Sequence, residues 1–106
     1  MQPDSPFHGL EGMKHMATTL NPKIFNAAIA DNRIEVKTED AYKMARRLAA
    51  EEGLFVGISS GANVYAAFEI AKTLSADSSG REGSRIATIL CDNGYRYLSE
   101  PLWRDI

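Results

Sequence analysis

Strand-type and helix-type segments alternate along residues 33–91, and this order constrains the fold more than any other feature of the chain. Residues 33–37 (RIEVK) alternate polar and apolar side chains, which is the period of a strand with one buried face. Residues 54–57 are a short apolar run, and residues 86–91 are an unbroken apolar run that is typical of a central parallel strand. Two helical patterns separate these segments, so the order predicts an α/β fold with a parallel sheet, flanking helices and right-handed crossovers.

The first helical pattern follows residue 37 and has clear ends. Thr38 is expected to cap the helix, and Glu39 and Asp40 fall in its first turn, where the positive end of the helix dipole favours carboxylates. Gly53 stands where a C-terminal stop is expected. The apolar stripe at helical spacing consists of Ala41, Met44, Ala45, Leu48 and Ala49.

The second helical pattern begins at Ser60 or Gly61 and runs to about Leu74. It is apolar over most of its circumference, so we predict that this helix is largely buried. The Ser/Gly-rich residues 75–84 that follow are predicted to form a surface loop. The 106 residues suffice for one small domain, and we interpret residues 1–106 as a single partial domain.

Composition argues against several classes of function. The net charge of −2, without a basic tract, gives no reason to expect nucleic acid as a partner. No apolar run approaches the roughly 20 residues that span a membrane, so no membrane partner is expected. Cys91 is the single cysteine, which excludes an internal disulfide and favours a reducing compartment, the cytoplasm. His8 and His15 have no further ligands near them at metal-binding spacing, so no metal site is expected.

Residues 57–63 (GISSGAN) allow three interpretations. Gly57, Ser59 and Gly61 fit the G-x-S-x-G pattern of a hydrolase nucleophile elbow, but in α/β-hydrolases the histidine base follows the serine, and here both histidines precede it. Alternatively, a serine caps the following helix, or the turn presents its hydroxyls to a polar or anionic ligand. If residues 54–57 and 86–91 are neighbouring parallel strands, the loops that follow them face one crevice, where ligands bind.

Three stretches of the chain carry a specific combination of motifs, namely QPDSPFHGLEG at residues 2–12, ARRLAAEEGLFVGISSGA at residues 45–62 and ILCDNGYRYLS at residues 89–99. Together they resemble the C-terminal region of cysteine synthases, the O-acetylserine sulfhydrylase-type members of the fold-type II pyridoxal-phosphate enzymes. The family commonly has proline where Cys91 stands, and cysteine there resembles the B-type isozymes. The resemblance implies a C-terminal piece of the large domain of such an enzyme.

The resemblance also implies a site for pyridoxal 5'-phosphate. In that site Ser59 hydrogen-bonds the pyridine nitrogen, and Gly57, Cys91 and Asp92 lie on the same side of the ring. A neutral hydroxyl leaves the ring nitrogen largely unprotonated, and this milder electron sink suits β-replacement on an O-activated serine with sulfide to give cysteine. The implied contacts to the substrate amino acid, where missing side chains allow close backbone approach, are Gly9, Leu10 and Gly12.

The family's mechanism requires two parts that this sequence lacks. Family members hold the cofactor through a Schiff-base lysine and a glycine/threonine-rich phosphate loop, and none of the five lysines stands in the matching context. We therefore expect this chain alone to be inactive and its partner to be a missing N-terminal portion or a second copy. Three explanations stay open: a fragment of a longer protein, one piece of a split enzyme, or a non-catalytic domain retained for binding or assembly.

Overall fold

Two helices and a small sheet form the part of the protein that the structure describes. The computed structural model describes residues 1–5, 9–10, 13, 15, 23, 26–76, 83–99 and 101–103. The helices are α1 (Thr38–Glu52) and α2 (Ile58–Ala76). The strands are β1 (Gln2–Pro3) and β2 (Glu35–Val36), and short 3-10 turns lie at Ala27–Ile29, Gly94–Tyr97 and Pro101–Trp103. The predicted α/β class is confirmed.

The strands β1 and β2 pair in parallel. Of the two, only β2 falls within a predicted strand, residues 33–37, and β1 was not predicted. The N–H of Gln2 donates to the carbonyl of Ile34 at 2.8 Å, and the N–H of Asp4 donates to the carbonyl of Val36 at 3.1 Å. Pro3 lies between these two donors, so its missing N–H removes no bond from the ladder. Pro3 and Val36 are fully buried and anchor the sheet in the core.

Helix α1 ends as predicted but begins differently. Gly53 adopts a φ of 67°, and its N–H donates to the carbonyl of Leu48 to close the C-terminus. At the other end Lys37 is the N-cap and makes no side-chain capping bond, so the prediction that Thr38 caps α1 is wrong. The Thr38 hydroxyl instead accepts a 2.9 Å hydrogen bond from the N–H of Gly9, because Thr38 is already inside the helix.

The two helices pack through small residues. Gly61 of α2 lies so close to α1 that a Cβ there would stand 2.5 Å from the carbonyl oxygen of Ala41 and 3.0 Å from the Cβ of Ala45. This contact is the centre of the main core. The buried members of that core are Leu10, Val36, Ala41, Ala45, Ile58, Ala62, Ala66, Tyr97 and Leu102.

The outer face of α2 departs from the prediction of a largely buried helix. The helix begins at Ile58, earlier than the predicted Ser60 or Gly61. On its outer face Phe68 and Ile70 are 45% and 41% exposed. The helix is apolar on nearly every side, but the described residues that pack against it, in α1 and β2, leave these two side chains exposed.

Residues 86–91 do not form the central strand that their sequence predicts. They have no regular secondary structure, and Ile86, Ile89 and Leu90 are 40%, 71% and 43% exposed. A strand requires a neighbour that pairs with its backbone, and the described residues supply none here. Of residues 54–57, only Val56 pairs, through an isolated antiparallel bridge to Asn93.

The described residues also bear on membrane crossing, on metal binding and on the predicted surface loop. Neither helix in the described ranges is both long and apolar enough to cross a membrane. Among the same residues, no group of three or more acidic, histidine or cysteine side chains could hold a metal ion. Residues 77–82 of the predicted surface loop at 75–84 lie outside the description, so that loop stays a prediction.

Candidate functional site

The turn before α2 is joined directly to the loop after residues 86–91. The N–H of Gly57 donates to the carbonyl of Asp92 at 3.1 Å, and the N–H of Gly94 donates to the carbonyl of Phe55 at 3.0 Å. The two loops therefore lie side by side, as predicted. They meet through an antiparallel bridge rather than as the ends of paired parallel strands, because the chain turns back after residue 91.

Ser60 fastens these two loops together. Its side chain is fully buried, and its hydroxyl accepts a 2.9 Å hydrogen bond from the backbone N–H of Cys91. The same hydroxyl donates to the carbonyl of Asp92 at 3.5 Å, a long bond. Both bonding directions of the hydroxyl are therefore used within the protein, so Ser60 has a structural role.

Ser59 differs from its neighbour although both lie in the first turn of α2. It is only partly buried, and its hydroxyl makes no hydrogen bond with any described residue. The first turn of a helix carries unsatisfied N–H groups and a partial positive charge. A hydroxyl in this position can bind a polar ligand without breaking any contact within the described protein.

The carboxylate of Asp92 is held beside this turn. Its Oδ2 accepts a 2.6 Å hydrogen bond from the phenol of Tyr97, and the exposed guanidinium of Arg96 stands 3.8 Å away, a contact that adds little. Its Oδ1 is buried and has no hydrogen-bond partner among the described residues. Gly57 makes room for this arrangement, because a Cβ there would lie 2.0 Å from Oδ1 of Asp92. The orphan oxygen is a candidate acceptor for a ligand or a water.

The thiol of Cys91 is exposed. If residues 86–91 formed the predicted buried strand, a side chain at its end would lie in the core. The reason is that residues 86–91 lack a covering layer in the described structure. The side-chain amide of Asn63 donates to the carbonyl of Ile89 at 2.9 Å and lies 3.5 Å from the sulfur of Cys91. This amide holds the segment on α2.

Of the three residues predicted to contact a substrate, the structure describes Gly9 and Leu10. Gly9 lies against the start of α1, where a Cβ would stand 3.0 Å from the Cγ2 of Thr38. Leu10 is 1% exposed and belongs to the core, so only its backbone could contact a ligand. Gly12 lies outside the described residues. The substrate contacts stay predictions.

The structure also assigns structural roles that the sequence pattern did not reveal. Arg46 of α1 donates from Nε to the carbonyl of Leu102 at 2.6 Å. Trp103 packs against Phe55 in a tilted arrangement with ring centroids 4.8 Å apart, and its buried Nε1 has no partner among the described residues. No local signal indicates the Arg46 contact, since it joins segments 56 residues apart.

Comparison with known proteins identifies the family of the chain. The pattern of the family described as "Pyridoxal-phosphate dependent enzyme" matches residues 3–92. The cysteine synthase of Aquifex aeolicus (strain VF5) is 43% identical over 105 residues, which are 99% of this chain and 31% of that protein. A probable cysteine synthase of Bacillus subtilis (strain 168) is 48% identical over 82 residues, or 77% of this chain and 24% of that protein.

Solved structures show the same fold. An O-ureido-L-serine synthase mutant with O-ureido-L-serine bound superposes with a TM-score of 0.83 at 30% identity, over 99% of this chain and 33% of that one. The cysteine synthase of Entamoeba histolytica superposes with a TM-score of 0.75 at 31% identity, over 96% and 30% of the two chains. The 106 residues thus span about a third or less of these relatives. The chain belongs to the pyridoxal-phosphate dependent enzyme family, and cysteine synthases are among its relatives there.

Proposed function

We propose that this chain provides the pyridine-ring side of a pyridoxal-phosphate site in a cysteine synthase-type enzyme. In the proposed reaction, sulfide replaces the O-linked leaving group at Cβ of an O-activated serine, so a C–O bond breaks, a C–S bond forms and cysteine results. The cytoplasm, a reducing compartment, suits the free thiol of Cys91.

One observation carries the proposal, namely the difference between the two serines of the turn. Ser60 is fully buried and bonded on both sides, whereas the Ser59 hydroxyl is partly exposed and makes no bond to the described residues. A capping serine stands just before the first helical residue and accepts a hydrogen bond from a backbone N–H two or three residues further on. Ser59 lies inside α2, which begins at Ile58, so it is not that cap. A hydroxyl kept available at a helix N-terminus fits a ligand contact.

The described residues fit the ring side of the cofactor in chemical terms. Bound pyridoxal phosphate withdraws electrons from the substrate and so makes loss of the Cβ leaving group possible. Ser59 would donate a hydrogen bond from its hydroxyl to the ring nitrogen, and because the proton stays on the serine oxygen, that nitrogen would remain uncharged. Gly57 and Asp92 would keep the turn at a fixed distance from the ring, since the Gly57 N–H already holds the Asp92 carbonyl. The thiol of Cys91 would lie at the edge of the same surface.

Substrate contacts are proposed for the backbone of Gly9, Leu10 and Gly12. Gly9 is tied to the first turn of α1 by its N–H bond to Thr38. That bond would fix the position of the following loop relative to the helices. The small-molecule partners in this proposal are an amino acid and sulfide.

We further propose that these 106 residues do not turn over alone. None of the five lysines stands in a Schiff-base context and no phosphate loop is recognisable in the sequence, so the catalytic lysine must come from outside these residues. The partner is then an N-terminal portion of the enzyme or, in a homo-oligomer, another subunit. A piece of a split enzyme and a non-catalytic domain for binding or assembly are the alternatives.

A serine hydrolase is the remaining alternative. It would require a base hydrogen-bonded to the Ser59 hydroxyl, and no described side chain makes such a bond. A serine-directed phosphonate should therefore leave Ser59 unlabelled. Labelling at Ser59 would favour the hydrolase.

Complementation tests the main proposal. The chain is mixed with, or fused to, the portion of the Aquifex aeolicus cysteine synthase that precedes its match, and sulfide-dependent cysteine formation is measured. We expect no activity and no visible absorbance of lysine-bound cofactor from the chain alone, and both from the completed enzyme. Ser59→Ala should lower kcat and shift that absorbance, while Ser59→Thr, which keeps a hydroxyl, should restore much of both. Inactivity after complementation, with folding intact, would favour the non-catalytic domain.

A further inference from the structure

The loop proposed to contact the substrate, residues 9–12, begins at a hydrogen bond to helix α1. The N–H of Gly9 donates to Oγ1 of Thr38 at 2.9 Å. The next residue, Leu10, is 1% exposed and lies in the main core. The start of this loop is therefore fixed by one hydrogen bond and one buried side chain.

The Thr38 hydroxyl serves this bond and not the start of its own helix. Lys37 is the N-cap of α1, and Thr38 is the first helical residue. A threonine usually stabilises a helix from the capping position, where its oxygen accepts an N–H of the first turn. Here the oxygen accepts the N–H of Gly9, 29 residues earlier in the chain. Removal of this hydroxyl should therefore disturb the loop more than the helix.

Gly9 fits closely against one face of α1. A Cβ at this position would stand 3.0 Å from Cγ2 of Thr38 and 3.1 Å from the phenol oxygen of Tyr42. Thr38 and Tyr42 are four residues apart in α1 and therefore lie on the same face of the helix. Because Gly9 has no side chain, its backbone can approach this face closely enough for the N–H to reach the Thr38 hydroxyl.

Helix α1 also supports the turn that holds Ser59. A Cβ at Gly61, two residues after Ser59, would stand 2.5 Å from the carbonyl oxygen of Ala41. Ala41 is fully buried and follows Thr38 by three residues, which is less than one helical turn. Because a helix is stiff over so short a distance, α1 sets the spacing between the loop of residues 9–12 and the turn of Ser59. The hydrogen bond of Thr38 connects the loop to that spacing.

We propose that Thr38 is a positioning residue for the amino-acid substrate, because its hydroxyl holds the loop of residues 9–12 at a fixed distance from the turn of Ser59. The inference rests on the proposed function. Thr38 acts through Gly9, whereas Ser59 would act on the cofactor ring itself. Loss of the Thr38 hydroxyl should therefore weaken binding of the amino acid and leave the electronic character of the cofactor unchanged.

Two substitutions at Thr38 separate the effect of its hydroxyl from that of its shape. Thr38→Val keeps the branched shape and removes the hydroxyl, whereas Thr38→Ser keeps the hydroxyl. Both are made in this chain and in its fusion to the upstream portion of the Aquifex aeolicus cysteine synthase. We expect Thr38→Val to speed hydrogen exchange of the Gly9 amide by about threefold to tenfold, and Thr38→Ser to restore most of the protection.

Binding of the amino acid is measured on the same variants of the fusion. They are titrated with L-serine, an amino acid that lacks an activated leaving group. We expect Thr38→Val to weaken this binding by about tenfold in calorimetry, since the ligand must then order the loop, and Thr38→Ser to restore it. With O-acetyl-L-serine as the donor, KM should rise by a similar factor in Thr38→Val, while kcat stays within about twofold of the parent and the cofactor absorbance does not shift.

Thr73→Val is the matched control, because it removes the same hydroxyl at a different place. Thr73 is exposed, and its hydroxyl donates to the carbonyl of Glu69 at 3.1 Å within α2. The substitution should change neither the exchange of the Gly9 amide nor the affinity for L-serine. Ser59→Ala should give the reverse of the Thr38→Val pattern, with a shifted cofactor absorbance and an unchanged Gly9 amide.

Three results would overturn the proposal. The first is a Gly9 amide that exchanges equally fast in the parent and in Thr38→Val. The second is a folded Thr38→Val enzyme that has a shifted cofactor absorbance but binds L-serine as the parent does. The third is a folded Thr38→Ser enzyme that binds L-serine as weakly as Thr38→Val, since the hydroxyl would then not be the group that matters.

Gly9→Ala decides the question from the other side of the contact if Thr38→Val does not fold. Its Cβ would press the loop away from Thr38 and Tyr42, so we expect weaker binding of L-serine here as well. An affinity for L-serine equal to that of the parent would count against the proposal in the same way.

The inference and the proposed function can fail separately. Suppose that the fusion neither binds cofactor nor forms cysteine, while Thr38→Val still exposes the Gly9 amide. The proposed function is then removed, and the substrate role of the loop with it, but the anchor remains. An active fusion whose affinity for L-serine does not respond to Thr38→Val would instead keep the function and overturn the inference.

Discussion

Ser60 accepts a 2.9 Å hydrogen bond from the backbone N–H of Cys91 and thereby joins the first turn of α2 to the end of a segment 31 residues further along the chain. The adjacent Ser59 takes no part in this connection. Two serines next to each other in sequence therefore have different tasks, one holding the two loops together and the other available to a ligand.

Replacing Ser60 should destabilise the protein, and replacing Ser59 should not. Ser60→Ala removes the hydrogen bond from the N–H of Cys91, and a partly buried hydrogen bond of this kind contributes about 0.5–1.5 kcal/mol. Ser59→Ala removes no bond to a described residue, so its free energy of unfolding should stay within about 0.5 kcal/mol of the parent. Urea unfolding of both variants is the measurement. Equal losses would show that the structure misassigns the two hydroxyls.

The phenol of Tyr97 is expected to stabilise the Asp92 loop. Tyr97→Phe removes a 2.6 Å hydrogen bond to a carboxylate in a mostly buried setting, and bonds to charged groups contribute about 1.5–3 kcal/mol. We expect a loss in that range by urea unfolding. Tyr95→Phe is the control, because the Tyr95 ring is 70% exposed. If Tyr97→Phe leaves the free energy of unfolding unchanged, the Asp92 carboxylate is equally well solvated without the phenol.

Gly61→Ala should be destabilising although alanine is the better helix former. The new Cβ would stand 2.5 Å from the carbonyl oxygen of Ala41, a backbone atom that no side-chain rotation can move. Overpacking typically costs about 1–3 kcal/mol. The helix-propensity gain is about 1 kcal/mol at most, so we expect a net loss of about 1–2 kcal/mol. Thermal unfolding against Lys43→Ala, on the exposed face of α1, measures it. A more stable Gly61→Ala would show that α1 and α2 can separate without cost.

Tyr65 should make the protein less stable in alkaline solution. Burial, followed by the nearby carboxylates of Asp40 and Glu69, raises the pKa of Tyr65 above its usual value of 10.0. The unfolded chain then loses this proton at lower pH than the folded protein does. The contribution of the protonated Tyr65 phenol to the free energy of unfolding is therefore fully present below about pH 10. It is lost as the pH rises through the pKa of Tyr65 in the folded protein. Tyr65→Phe lacks this titration and should lose less stability between about pH 9 and about pH 11. Parallel curves for the two proteins would contradict the assignment.

The sequence predicts best those parts of the fold that depend on nearby residues. The stripe and the glycine stop of α1 follow from helical periodicity and from the left-handed conformation that Gly53 adopts at φ 67°. The neighbourhood of the GISSGAN turn and the Asp92 loop was also predictable, since both follow strand-type runs. Residues 86–91 were predicted as a strand because their composition fits one, but a strand also needs a partner, and the sequence of the segment does not contain that information.

The details of the site depend on contacts that no pattern encodes. Thr38 is a residue type that commonly caps helices, yet its hydroxyl accepts a hydrogen bond from the N–H of Gly9, 29 residues away. The separate tasks of Ser59 and Ser60 depend on which hydroxyl the helix turns toward Cys91.

The packing of the GISSGAN turn separates positions that are fixed from positions that are open to evolutionary change. At position 57 any side chain would collide with Asp92 and Tyr97, and at position 61 a Cβ would collide with α1. Between them, Ser59 can be exchanged without disturbing its neighbours. If Ser59 is the ring contact that we propose, a single substitution there would change the electronic character of the cofactor and leave the scaffold intact.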